Sequence, residues 1–169
     1  MRAQYKIRRA LSGDLEKILE IECASFGREA YDRKLFAYYM DKCEGLFLVA
    51  RRPSPRGGKA KPRGKLCGYL IACLRGNRIG ASAELVSIAV EPEARGRGAA
   101  SALLESALRR LARRGAGRLN LVVRATNDPA RAFYEKYGFR RVRMVAGYYE
   151  DGGDGIAMAR PVRLPKATA

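Results

Sequence analysis

The chain has 169 residues, with 34 Lys plus Arg against 17 Asp plus Glu and no His, for a formal net charge of +17. That is one domain's worth of chain, and a hydrophobic share of 47% supplies a core, which excludes a disordered basic tail. Without His, a Ser-His-Asp triad, a Cys-His dyad, His-liganded zinc and an imidazole base are excluded, so carboxylates, tyrosines, thiols or backbone groups must carry any chemistry.

In chain order, Tyr5 to Arg9 alternates as a first strand. Ser12 reads as the N-cap of a helix with Leu15, Ile18, Leu19 and Cys23 on one face. A loop from Ser25 to Ala30 leads to a second helix, Tyr31 to Lys42, with Leu35, Phe36, Tyr39 and Met40 at helical spacing. Gly45 to Arg51 is a short buried strand. The segment Pro53 to Lys65 then carries Arg56, Lys59, Lys61, Arg63 and Lys65 without an acid, and reads as a mobile hairpin loop. It is either a solvated insertion or a handle for RNA, ribosome or another anionic surface. Leu66 to Leu74 returns as the partner strand, and Ala83 to Val90 is the next.

After a break at Glu91-Pro92-Glu93, a basic Gly-rich turn opens a long helix from Ala99 to Arg113, with Leu103, Leu104, Ala107, Leu108 and Leu111 on its buried face. Leu119 to Val123 is a strand. Asn127-Asp128-Pro129 starts a helix that Gly138 ends. Two strands, Phe139 to Val145 and Gly155 to Ala159, flank a loop from Gly147 to Asp154. The order predicts a single mixed α/β domain over residues 1–162 with a short tail at 163–169, and a parallel β-α-β step from Ala83 to Val123.

Cys23, Cys43, Cys67 and Cys73 form no Cys-x-x-Cys pair, so they read as buried thiols, with Cys67 and Cys73 facing one side of a strand and no metal expected. The N-terminus is charged, and the longest uncharged apolar run, Leu66 to Leu74, falls short of the ~20 residues of a membrane helix. The chain therefore reads as soluble and cytoplasmic. Arg outnumbers Lys by 25 to 9 while Gln occurs once and Asn three times, a bias compatible with a thermophile. The charge itself admits two readings, a solvated surface or an anionic partner.

The segment from Val86 to Ser101 is a strand leading through a tight turn into a helix N-terminus, an anion cradle by construction. Unpaired N–H groups and the helix dipole favour negative charge, Gly96, Gly98 and Ala100 allow close approach, and Arg95 and Arg97 add donors. A dinucleotide fingerprint fits poorly, since the third Gly and the ribose-binding acid are absent.

Arg95-x-x-Gly98-x-Ala100 after Ile88-Ala89-Val90 resembles the acetyl-CoA pyrophosphate loop of the GNAT superfamily of N-acetyltransferases. Val123-Arg124-Ala125-Thr126-Asn127, Ala132 to Phe139, Gly147-Tyr148-Tyr149 and Ala157-Met158-Ala159-Arg160-Pro161 extend the likeness to the N-terminal α-amino acetyltransferases, including RimI-like enzymes and their archaeal relatives. The resemblance implies a mixed, mostly antiparallel seven-stranded sheet with about four helices and a central β-α-β unit for acetyl-CoA.

It also implies that Ile88, Ala89 and Val90 meet the pantetheine arm through their backbone. Gly96, Arg97, Gly98, Ala99, Ala100 and Ser101, with Arg95, would hold the pyrophosphate. Asn127 would bond the cofactor near its thiol end, and Tyr134 would protonate the departing thiolate. An acid or His often serves as base in these relatives where Val122 stands here. By strand alternation Glu84 shares a face with Val86, Ile88 and Val90, which makes it the expected base. Glu29 is expected to position the amine, and Tyr31, Tyr148 and Tyr149 to line the peptide channel.

The implied reaction is direct attack of a protein or peptide α-amino group on acetyl-CoA in a ternary complex, without a metal. A Lys side-chain or small-amine acetyltransferase, and a ribosome- or nucleic-acid-binding module with a vestigial cofactor site, remain as alternatives.

Overall fold

A computed structural model describes residues 5–43, 45–52 and 64–163. Among these, seven strands and four α-helices follow in the order β1 (Lys6–Arg9), α1 (Leu15–Phe26), α2 (Arg33–Lys42), β2 (Phe47–Arg51), β3 (Leu66–Arg75), β4 (Ser82–Val90), α3 (Ala99–Arg113), β5 (Arg118–Arg124), α4 (Asp128–Lys136), β6 (Arg140–Val145) and β7 (Gly155–Pro161). The sheet runs β1-β2-β3-β4-β5-β7-β6. β4 and β5 are parallel, pairing Ser82 with Arg118 and Glu84 with Asn120, whereas β1–β2, β2–β3, β5–β7 and β6–β7 are antiparallel. Element order and strand directions agree with the expected mixed sheet.

The chain gathers into two compact units, one of Met1–Cys73 with Val86–Arg110, the other of Leu74–Leu85 with Leu111–Ala169. In the first, Leu15, Ile18 and Ile21 of α1 and Phe36 of α2 pack with Phe47, Val49, Tyr69 and Ile71 of β2 and β3. Phe36 meets the Tyr69 ring edge-on at 5.5 Å. Leu103, Leu104 and Ala107 of α3 are fully buried at the expected helical spacing. Gly68 permits a close approach here: a Cβ at this position would lie 3.0 Å from the Ala89 carbonyl oxygen and 3.2 Å from Val90 Cγ2.

Several local expectations change. Ser12 does not cap α1 but begins a 3-10 turn, Ser12–Asp14, whose polar anchor is Asp14. The Asp14 carboxylate accepts the Leu11 N–H at 2.9 Å and pairs with Arg8 at 2.7 Å and Arg51 at 3.1 Å. Cys23 is exposed rather than on the buried face, because Ile21 and Glu22 take that face instead. Cys43, at the C-cap of α2, and Cys73, on β3, are joined as a disulfide with Cα atoms 4.7 Å apart, so they are not free thiols.

Cys67 alone is a buried free thiol among the described residues, and it does not share the core face of Cys73. The β2–β3 register shifts between Ala50 and Arg51, passing over Cys67, so Leu66 joins the core with Tyr69, Ile71 and Cys73. Residues 53–63 of the basic segment lie outside the described residues, as do 164–169 of the expected tail.

In the second unit β5 alternates, with Leu119, Leu121 and Val123 buried and Arg118, Asn120, Val122 and Arg124 on the opposite face. The Asn127 side chain caps α4 by accepting the Ala130 N–H at 3.2 Å, and Gly138 ends it at φ 82°. β6, an edge strand, has no buried face, while Phe139 just before it is buried.

Two measurements test this unit-level packing. Burial opposes ionisation of Asp14, but hydrogen bonds from Arg8, the Leu11 N–H and Arg51 outweigh it and pull the carboxyl from 3.8 down to about 2. A lowered carboxyl stabilises fully above its unfolded value and stops doing so as pH falls through the folded one. Asp14→Asn should cost about 1–3 kcal/mol at pH 7, with the two proteins converging toward pH 2 in urea unfolding. Thiol labelling of the unfolded, unreduced chain should count Cys23 and Cys67 only, and all four cysteines after reduction.

Candidate functional site

In the first unit, β4 ends at Val90 and a 3-10 turn, Pro92–Ala94, leads into the basic turn. Gly96 and Gly98 adopt φ 70° and 90°, the left-handed region that disfavours any other residue. Open space surrounds both, with no atom within 4 Å of where a Cβ would be. The first N–H bonded back into α3 is that of Ala102, to the Gly98 carbonyl at 3.0 Å, so the N–H groups of Ala99, Ala100 and Ser101 begin the helix ahead of its ladder. No acid stands in that first turn.

This is an open, positively polarised turn at a helix start, whose chemistry suits a phosphate anion. Its two arginines differ. Both are exposed, but Arg95 turns back, donating to the Val90 carbonyl at 3.0 Å and to Ser25 Oγ at 3.2 Å. Arg95 thus closes the turn against β4 and α1 instead of reaching outward. Glu91 adds a second brace, pairing with Lys17 at 3.1 Å and Lys65 at 2.9 Å.

Glu29 ends a short 3-10 turn, Gly27–Glu29, and is exposed. Tyr31 is half-buried, with its ring 6.0 Å from Phe36 and 6.3 Å from Tyr39. What holds this loop is a residue that the sequence reading missed. Glu22 of α1 is 1% exposed, accepts the Tyr31 N–H at 2.8 Å and accepts the Tyr69 hydroxyl. Tyr69 also meets Ser87 Oγ on β4 at 2.9 Å. Burial raises the Glu22 carboxyl above the usual carboxylate range, and burial, then Glu22, raises Tyr69. The available signal was periodicity: Glu22 stands four residues after Ile18 and seven after Leu15, on the apolar stripe of α1.

In the second unit Glu84 is half-exposed and pairs with Arg75. Val122 occupies the same sheet face as Asn120, the partner of Glu84 in the ladder. Tyr148 lies over that face beside Val122, for a Cβ on Gly155 would meet Val122 Cγ1 at 2.6 Å and Tyr148 Cβ at 3.2 Å. The structure therefore gathers Glu84, Val122 and Tyr148 onto one face of one unit.

The loop carrying Tyr148 and Tyr149 is stapled. The Arg124 guanidinium sits 4.0 Å over the Tyr149 ring and pairs with Asp151 at 2.9 Å, and Gly147 N–H donates to Asp154 at 2.9 Å. Tyr148 and Tyr149 meet edge-to-face at 5.0 Å. Tyr134 of α4 is 8% exposed, and burial, with Tyr149 second, pushes its hydroxyl well above the ordinary tyrosine value. The Asn127 side-chain oxygen accepts the α4 cap hydrogen bond, so its amide contributes to a ligand as a donor only.

The comparisons with known proteins agree on a single family. The acetyltransferase (GNAT) family profile matches residues 15–139. An N-alpha-acetyltransferase of Saccharolobus solfataricus is 32% identical over 159 residues, covering 94% of this chain and 93% of that protein. Among solved structures, Ard1 from Thermoplasma volcanium superposes with a TM-score of 0.80 at 25% identity, covering 94% and 97% of the two chains. The ribosomal-protein-S18-alanine N-acetyltransferase of Escherichia coli gives 0.75 at 28% identity, covering 98% and 99%.

The glycine under Tyr148 can be tested directly. Gly155→Ala forces a methyl against Val122 and Tyr148, and overpacking of this kind costs about 1–3 kcal/mol. Urea unfolding should show that loss, and an unchanged midpoint would mean the aromatic loop is not seated on the sheet.

Proposed function

The chain belongs to the GNAT acetyltransferase family and transfers the acetyl group of acetyl-CoA to the α-amino group of protein or peptide N-termini, and from that premise we propose which residues carry the reaction. The carrying observation is likeness to N-alpha-acetyltransferases over nearly the whole chain, joined to an open, acid-free turn at a helix start that suits a phosphate anion. The lysine or small-amine reading and the nucleic-acid-module reading are not favoured by these relatives.

In this proposal Gly96 to Ser101 hold the CoA pyrophosphate on backbone N–H groups, with Arg97 as ionic contact and Arg95 shaping the turn. Ile88, Ala89 and Val90 offer backbone groups to the pantetheine arm, and Asn127 donates near the thiol end. The neutral amine forms a bond to the thioester carbonyl carbon, and its surplus proton passes through water to the Glu84 carboxylate. The carbon–sulfur bond then breaks, and the departing thiolate takes the Tyr134 hydroxyl proton. A tyrosine raised by burial stays protonated until such a base appears, which supports this role. A peptide α-amino group titrates near ~8, so a carboxylate suffices where His is absent. Glu29 positions the amine, on a loop that Glu22 holds, and Tyr31, Tyr148 and Tyr149 line the acceptor channel.

We further assign this enzyme to the cytoplasm of a thermophile of archaeal type, supported by its arginine bias and its archaeal relative. No helix among the described residues is long and apolar enough to cross a membrane. The basic segment 53–65 is proposed as a contact for ribosome or RNA on grounds of charge alone, and 53–63 lie outside the described residues.

CoA release with peptides beginning Ser, Ala or Met tests the activity, and an absence of turnover on all three would sink it. Glu84→Gln should lower turnover about 10- to 1000-fold. An unchanged rate would take the base role from Glu84 and give it to Glu29 or to water.

A further inference from the structure

The open face of the second unit's sheet carries a basic pocket that the reaction does not use. In the β5–β7 ladder Arg118 pairs with Pro161 and Asn120 with Ala159, and in the β6–β7 ladder Arg140 pairs with Ala159 and Arg143 with Ala157. Residues directly paired in a ladder project to the same face. Arg118, Arg140 and Arg143 therefore share the face of Asn120 and Val122. A register shift between Arg141 and Arg143 leaves Val142 without a partner and lets it join this face.

The result is an open depression of about 310 Å³, floored by Gly117, Ala159 and Pro161 and bordered by Arg118, Arg140, Val142 and Arg160. Arg160 turns its guanidinium to the Tyr137 carbonyl at 2.6 Å. No acid lines the depression, and among the described residues Arg118 and Arg140 have no ion-pair partner, although both are exposed. Two unneutralised guanidinium groups facing one small-residue floor are suited to an incoming carboxylate, which each can grip with two parallel N–H groups.

Position selects the carboxylate. The ladder row Arg140–Ala159–Asn120 continues to Glu84 on β4. Three strand spacings separate Arg140 from Glu84, about 14 Å. An extended chain whose amino end lies at Glu84 covers that distance in about four to five residues.

We propose that this pocket binds an acidic side chain of the protein being acetylated, about four to six residues from its N-terminus, so that Arg118 and Arg140 determine specificity for acceptors with an acidic early segment. The inference rests on the reading that Glu84 faces the acceptor amine. An RNA phosphate backbone is the competing occupant, and it predicts binding without any effect on peptide preference.

The test compares two series of Ser-initiated peptides, with Asp and Glu or with Asn and Gln at positions four to six. Wild type should favour the acidic series by about 5- to 20-fold in kcat/KM at low salt, through KM, with the preference fading as salt rises. Arg118→Gln with Arg140→Gln should bring the acidic series to the level of the neutral one, and Arg118→Glu with Arg140→Glu should turn the preference toward peptides carrying Lys there. Equal wild-type kcat/KM for the two series would overturn the inference while leaving the acetyltransferase reading intact. So would an acidic preference that survives the double substitution. Loss of binding to an RNA oligonucleotide in the double variant, with peptide preference unmoved, would assign the pocket to RNA instead. Absence of turnover on both series overturns the parent reading itself.

Discussion

A single buried carboxylate organises the first unit. Glu22 lies in the apolar stripe of α1, where a charge is costly unless its oxygens are satisfied. One oxygen takes the Tyr31 N–H and the other the Tyr69 hydroxyl, which itself reaches Ser87. These bonds tie α1 to the loop before α2, to β3 and to β4. Glu29 and Tyr31, the residues assigned to the acceptor side, stand on that loop, so their placement follows from the hydrogen-bonding demand of Glu22. The same economy of anchors recurs at Asp14, which joins β1 to β2 through Arg8 and Arg51.

The second unit works by a different constraint. Its sheet has one buried face, formed by Leu119, Leu121 and Val123 of β5, and one that stays accessible. Small residues keep that second face low: Ala157, Ala159 and Gly155 on β7 let Tyr148 settle beside Val122 and leave the floor of the basic pocket shallow. Arg124 holds the aromatic loop in place through Tyr149 and Asp151. Part of the arginine surplus is thus structural, spent on Tyr149, Tyr137 and Asp14, and part is left facing solvent at Arg118 and Arg140. The total of +17 does not distinguish the two.

Periodicity made most of the fold legible. The predicted α3 agrees at both ends, because fifteen residues carry a strong apolar stripe between a glycine-rich turn and Gly115. The Asn127-Asp128-Pro129 start and the Gly138 stop of α4 were equally clear, since capping is local chemistry. Ser12 does not cap α1 because it opens a 3-10 turn, and the Asp14 carboxylate that ends this turn bonds back to the Leu11 N–H and to Arg8 and Arg51, not to the N–H groups of α1. The alternation argument that paired Cys67 with Cys73 failed at the shift in the β2–β3 register, which strand patterns do not announce. Of the candidate site, the phosphate-binding turn was legible as a motif, while Glu22 was hidden among apolar neighbours whose spacing it shares.

By itself, the sequence determined the kind of chemistry available. The absence of His confines proton transfer to carboxylates and tyrosines, and Gly96 and Gly98 beside a helix start specify an anion-binding turn, because backbone dihedrals and unpaired N–H groups are local properties. Only the tertiary structure decided which charges are already spent. Whether Arg95 reaches a ligand or the Val90 carbonyl, whether Cys43 finds Cys73, and whether Arg118 and Arg140 meet across one strand all depend on residues far apart in the chain. A charge acts through its neighbours in space, and those are set by strand register and packing, which no local pattern carries.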